Sequence, residues 1–383
     1  MIWGYIVIAY LSLFALGISD NIRGPLFPEI LQNFAVSDTQ GAVFYAMSSF
    51  FGFLGSFLVR FLLKKWSRIR NMQLALLMMT VGLAGMGSVT HFSWLLFFSA
   101  IFGASMGITG VVQNILVNVG SLPQKRQQML SGLHANYGIA SFLAPLVVAG
   151  VSAWLGSWRF VFYIVATVPF ALLLGTFFWK DNQISAALVN KEKLEPPHPQ
   201  TRRDHLGQIF LAVALGFYVL AEIMVSSRLP LFVRRELGVS LEESSYYLTG
   251  FFVFLLAGRL LFALYHFRWP LRHMLSAFLF LSAASVALGL LSHPFFLALS
   301  GLFMAPFYPL AMVYVSNRYE KNIDSAVSYC MALQSFFTVA MHGLVGYLTD
   351  LYGIHVALWV GPMGLGVSFL LLNSFERLFK KES

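Results

Sequence analysis

The stretch Gly17-Ile-Ser-Asp20-Asn21-Ile-Arg23-Gly-Pro25-Leu-Phe-Pro28 closes an apolar run that starts at Trp3. A charged side chain at the centre of a hydrophobic helix costs about 2.5–3.5 kcal/mol on an insertion scale. Such residues persist where they face a water-filled path or one another. Asp20 and Arg23 are spaced i, i+3, so an ion pair on one helix face is one reading. The other is a binding cavity, which two Pro and two Gly favour by loosening the backbone where irregular structure must line a wet space.

Outward from that stretch, the chain is membrane protein throughout. Of its 383 residues 58% are apolar, 16% aromatic and only 11% charged, with mean hydropathy +0.73. Soluble domains carry about 25% charged residues. Runs of about 20 apolar residues predict twelve spans, near 4–32, 39–63, 72–90, 94–120, 129–154, 159–179, 207–233, 243–265, 272–292, 295–317, 325–349 and 355–375. The run Trp3–Ile18 has no Lys or Arg before it and no small-x-small cleavage site after it, so an uncleaved first span is expected rather than a signal peptide. The fold class expected is therefore an all-α membrane protein.

The net charge of +9 would suggest nucleic acid in a soluble chain, but here the basic residues fall in short alternate loops. Lys64, Lys65, Arg68, Arg70, Lys125, Arg126, the 180–203 segment, Arg268, Arg272, Arg318, Lys321, Arg377, Lys380 and Lys381 share one side. Arg159, Arg234 and Arg235 are on the other. The positive-inside rule puts the first set and both termini in the cytoplasm of a multi-pass cell-membrane protein. No nucleic-acid partner is expected, and the chain is expected to act as a monomer in lipid. Lys180–His205, with Pro196-Pro-His-Pro199, reads as a Pro-rich cytoplasmic linker that could carry a short surface helix. It separates halves 1–180 and 206–383, the linker proper being 181–205.

The halves echo each other at a spacing of about 200 residues. Arg23-Gly-Pro-Leu-Phe27 returns as Arg228-Leu-Pro-Leu-Phe232, Val36-Ser37 as Val239-Ser240, and Phe50-Phe-Gly-Phe-Leu54 as Phe251-Phe-Val-Phe-Leu255. Arg70-Asn-Met72 returns as Arg272-His-Met274, His91 as His293, and Leu133-His134 as Leu333-Gln334. Two parallel six-helix repeats flanking a midplane site is a transporter architecture, with access alternating as the halves rock.

With these residues the chain resembles the major facilitator superfamily, and within it the fucose–proton symporter-like group. Tyr218-Val-Leu-Ala-Glu222, Tyr247-Leu-Thr-Gly250 followed by Gly258-Arg259, Phe303-Met304 with Tyr308-Pro309, Asn114 in span 4, and Ser131-Gly-Leu-His-Ala-Asn-Tyr-Gly138 are similar to segments of that group. The resemblance implies the twelve-span fold in two pseudo-symmetric six-helix bundles and transport of a sugar-like solute with protons. The group's span 1 Asp falls here at Gly24, with Asp20 one turn earlier, and its span 4 Glu at Gly110. Arg60-Phe-Leu-Leu-Lys64-Lys-Trp-Ser-Arg68 lacks the Asp and both Gly of the superfamily's loop motif. The coupling residues cannot be copied across.

Candidate site residues are the polar groups inside the spans. Asp20, Glu222 and His134 are the candidates for proton coupling; Glu222 lies mid-span, where desolvation favours its neutral form, although a structural, hydrogen-bonded acid reads equally well. For solute binding the candidates are Asn21, Arg23, Gln113, Asn114, Asn136, Tyr137, Arg228, Tyr308, Gln334 and His342. Amide contacts between helices and packed histidines are the bland alternatives. Arg23 and Arg228 occupy equivalent places in the repeat, and two facing guanidiniums suit a carboxylate or phosphate. That leaves an organic-anion or organophosphate carrier, and a multidrug–proton antiporter, as alternatives to a proton–sugar symporter. Most of the 38 Phe are expected to face lipid, and Trp154, Trp158 and Trp179 to anchor at the interface. No Walker motif, His-x4-Asp or metal-spaced cluster occurs, Gly103-Ala-Ser105-Met-Gly107 has the Gly-x-Ser-x-Gly spacing only inside an apolar run, and Cys330 is alone. The chain is therefore read as no enzyme, with no cofactor and no metal.

Overall fold

A computed structural model describes residues 1–122, 125–178, 200–264, 269–319 and 322–379. The linker expected at 181–205 lies outside them up to residue 199. The helices, in order, are α1 Trp3–Asn21, α2 Arg23–Phe34, α3 Asp38–Lys65, α4 Arg68–Ser88, α5 Phe92–Gly120, α6 Arg126–Leu155, α7 Arg159–Phe177 and α8 Arg202–Leu237. They continue as α9 Leu241–Leu264, α10 Leu271–Leu291, α11 Phe295–Met304, α12 Phe307–Arg318, α13 Ile323–Tyr352, α14 Ile354–Ala357 and α15 Val360–Leu378. No strand occurs among the described residues. Eleven of the predicted spans appear as helical segments long and apolar enough to cross a bilayer. The remaining span, 325–349, is helical within α13. Span 1 is nicked at Ile22, span 10 breaks at Ala305-Pro306, and span 12 turns at Leu358-Trp359.

The repeat is visible in how its helices end and begin. α2 ends at Ala35 in the left-handed region (φ 49°), and Gly238 (φ 65°) takes the same conformation after α8. Two residues on, Ser37 caps α3: its hydroxyl accepts from the Gln40 N–H (3.2 Å) while the Gln40 side chain accepts from the Ser37 N–H (3.0 Å). Ser240 and Glu243 repeat that reciprocal pair at α9, at 3.1 and 3.2 Å. Each box satisfies two backbone donors that a helix start leaves open.

Contacts divide the chain into two compact units. The first holds residues 1–179, 224–253 and 339–357; the second holds 180–223, 254–338 and 358–383. The first unit thus takes in the ends of spans 7, 8 and 11 as well as spans 1–6. Within it α3 and α5 pack backbone to backbone, because Gly52 and Gly55 on one helix meet Gly103, Ala104 and Gly107 on the other. With lipid offering no hydrophobic gain, such close small-residue contacts carry helix association.

One expectation is corrected. Trp158 is 8% exposed and packs against Phe34 and Phe162, with Arg159 over its ring, so it is a core residue; Trp154, at 81%, does stand out. Trp179 is outside the described residues. Among the described Phe, Phe27, Phe44, Phe102, Phe162, Phe251, Phe307 and Phe375 are fully buried, while others such as Phe50, Phe53, Phe177 and Phe178 stand exposed.

Candidate functional site

In the first unit the polar residues of span 1 gather at the Ile22 nick. Pro25 has no N–H to give the Asn21 carbonyl, and Gly24 lets the chain lie against the Ser226 backbone carbonyl, 3.1 Å from where a Cβ would stand. Asp20 and Arg23 form the i, i+3 ion pair, with Arg23 buried and Asp20 partly open. The Arg23 guanidinium also donates to Ser48 Oγ (2.5 Å), and Tyr137 donates its hydroxyl to Asp20 Oδ2 (2.9 Å). Asn21 Nδ2 donates to Gly17 O (2.8 Å), Ser141 Oγ (3.0 Å) and Tyr137 Oη (3.3 Å). Asn136 donates to the Tyr10 carbonyl (2.6 Å) and the Tyr10 hydroxyl to Met129 O (2.6 Å). In this conformation Asn21, Asn136 and Tyr137 therefore join α1 to α6.

Tyr45 was not singled out in the sequence, yet it organises this cluster. Its hydroxyl donates to the Arg23 carbonyl (2.9 Å), its ring stacks on His342 at 4.4 Å and 7°, and the guanidiniums of Arg23 and Arg228 lie 5.3 and 5.4 Å from its centroid. A tyrosine in an apolar run reads as packing, and only the fold brings three cationic or polar groups to its ring. The equivalent arginines differ: Arg23 is neutralised by Asp20, whereas no side-chain nitrogen of Arg228 has a hydrogen-bond partner among the described residues.

Elsewhere in this unit Gln113 is 3% exposed with its Oε1 unpartnered, and the Asn114 amide turns back to Gly110 O (2.7 Å). His134 is exposed on α6. At the Ala35–Ser37 end, Arg234 pairs with Glu29 (2.5 Å) and Arg235 with Asp38 (2.8 Å). Both arginines line a pocket of about 400 Å³ with Pro28, Leu31, Gln32, Val36 and Leu231. The Asp350 carboxylate accepts from the N–H groups of Asp38 and Thr39, each at 2.8 Å, and so caps α3 from α13. Arg159 donates to Gly87 O (3.0 Å) and Val89 O (2.6 Å). The three arginines on the charge-poor side are thus all committed to local partners.

The second unit has its own acid. Tyr218 donates its hydroxyl to the Met304 carbonyl at the span 10 break (2.7 Å) and is hydrogen-bonded to Glu222. One hydroxyl proton cannot serve both. Tyr308 donates to Gln334 Oε1 (2.9 Å), joining α12 to α13.

Partly enclosed acids inside the spans, held by tyrosine hydroxyls beside helix breaks in a helical polytopic chain, are features of a membrane carrier. The sequence pattern of the Major Facilitator Superfamily matches residues 9–261 and 211–380, and the chain belongs to that family. It is 23% identical over 363 residues to the glucose/mannose transporter GlcP of Bacillus subtilis (strain 168), covering 91% of this chain and 88% of that protein. Among solved structures, a bacterial homologue of the human lysosomal transporter Spinster superposes with TM-score 0.77 at 14% identity, covering 99% of this chain and 98% of that one. A D-xylose–proton symporter does so with TM-score 0.77 at 12% identity, covering 98% of each chain.

Proposed function

We propose that this superfamily transporter is a proton-coupled symporter for a small, neutral, sugar-like solute, of the fucose–proton symporter-like group. Residues 1–180 and 206–383 are its two rocking halves, and both termini are cytoplasmic. The observation that carries the reading is the partly open Asp20 carboxylate, ion-paired to buried Arg23 and hydrogen-bonded by Tyr137. A carboxylate in that setting can exchange its Arg23 partner for a proton when solute and water reach it. Glu222, bonded to a Tyr218 hydroxyl whose proton is already given to Met304, is the second proton carrier. Amide and phenol groups at Gln113, Asn114, Tyr308 and Gln334 supply the hydrogen bonds a hydroxylated solute needs. The kinship with a glucose/mannose transporter supports the solute class, and the fold likeness to a xylose–proton symporter is in keeping with proton coupling.

The test is uptake into proteoliposomes across an imposed pH gradient, with a panel of hexoses, pentoses, sugar phosphates, carboxylates and cationic drugs. Accumulation of a neutral sugar that collapses with a protonophore is the expected result. Uptake confined to anionic or cationic members of the panel would overturn the solute class; sugar uptake indifferent to the gradient would overturn the coupling.

A further inference from the structure

Arg228 is 1% exposed, and its Nε and both terminal nitrogens have no hydrogen-bond partner. Among the described residues no carboxylate lies within ion-pair distance of it. Its guanidinium sits over the Phe27 ring at 4.2 Å and near the Tyr45 ring at 5.4 Å. Aromatic faces attract a guanidinium through its flat sides. They leave the five N–H groups, which point outward in the guanidinium plane, unserved. His342, 2% exposed, stacks on the same Tyr45 ring and lies within electrostatic reach of Arg228, and its Nδ1 is also without a partner. A buried charge with no counter-charge and no hydrogen bonds is far outside what proteins tolerate.

From this geometry we propose that Arg228 and His342 form an occluded site for a small monovalent anion, with the Arg228 N–H edge as its main donor and His342 Nδ1–H as a second. The charge of the ligand follows from the site. Arg23, the other cation at the Tyr45 ring, is already matched by Asp20, so one free positive charge calls for one negative charge. A dianion would leave an excess charge in hydrocarbon. The size follows from the burial of both residues, which excludes bulky ions. A free halide and a carboxylate group share this chemistry. The site is independent of whether the carried solute is a sugar.

The purified full chain in detergent is unfolded thermally in sodium gluconate, which is then replaced stepwise by chloride, bromide or acetate at constant ionic strength. Expected is a saturable rise in Tm of about 3 °C or more with at least one small anion, kept in Arg234→Gln and lost in Arg228→Gln. A halide response identifies a free inorganic ion, and an acetate response without a halide one identifies a carboxylate group. Arg228→Lys keeps the charge but loses the planar fork, and is expected to raise the midpoint concentration about tenfold; it carries the test should the glutamine variant not fold. Equal unfolding in all four salts, or a response untouched by either Arg228 change, would overturn the site.

Discussion

Tyr137 and Asp20 meet through a 2.9 Å hydrogen bond between α6 and α1, while the other oxygen of that carboxylate faces the Arg23 guanidinium. The carboxylate is therefore held at both oxygens, by a neutral donor from one helix and a cation from its own. A proton arriving on Asp20 dissolves the ion pair, and the helix nick at Ile22 lies directly beside it.

Asp20→Asn keeps the volume and removes the charge. Uphill, gradient-driven uptake is expected to fall to background while counterflow exchange persists, because exchange needs binding and rocking but no net proton movement. Both are read in the same proteoliposomes. Accumulation at the wild-type level in the variant would remove Asp20 from coupling.

Arg234 and Glu29 each keep 22% side-chain exposure, between a surface pair and a buried one. Their coupling energy in a double-mutant cycle with Glu29→Gln and Arg234→Gln is expected to be about 1 kcal/mol, measured by unfolding. Each single change should also make cysteines placed beside Pro28 and Leu231, in the adjoining pocket, more reactive to a water-soluble maleimide. Unchanged labelling in both variants would mean that the pair does not hold that end shut.

Asp350 lies beyond span 11 at the end of α13. Burial pushes its carboxyl up, but hydrogen bonds with Thr39, Ser37 and Asp38 outweigh that and hold it below the ordinary aspartate value. A lowered folded value means stability that is present at neutral pH and lost as pH falls through that folded value. The Tm of Asp350→Asn should lie about 2 °C or more below wild type at pH 7, as for a lost helix cap. The gap should close towards pH 3, and a gap that is constant from pH 7 to pH 3 contradicts the assignment.

Ala35 holds a left-handed conformation (φ 49°) where its repeat partner is Gly238. Ala35→Gly relieves the Cβ clash and is expected to stabilise by up to about 1 kcal/mol, less the added freedom of the unfolded chain. Gly238→Ala should cost a similar amount, and equal unfolding of the two variants and wild type would count against the strain.

Much of this was legible in the chain itself. Span positions, the all-helical class and the repeat follow from apolar run length and residue order, since a bilayer leaves the backbone no choice but to satisfy itself locally. Asp20 and Arg23 are three residues apart on one helix, so their pairing could be foreseen. The roles of Asn21, Asn136 and Tyr137 could not: an amide in a span is equally a solute ligand or a bond between helices, and only the packing of α1 on α6 places the acceptors. Likewise Arg23 and Arg228 are indistinguishable as sequence. The tertiary structure separates them, because one has an acid a helical turn away and the other, among the described residues, meets aromatic rings and a histidine delivered from α2, α3 and α13. Covalent neighbours decide what a residue could bind; which groups surround it depends on segments hundreds of residues apart, and that was set by the fold alone.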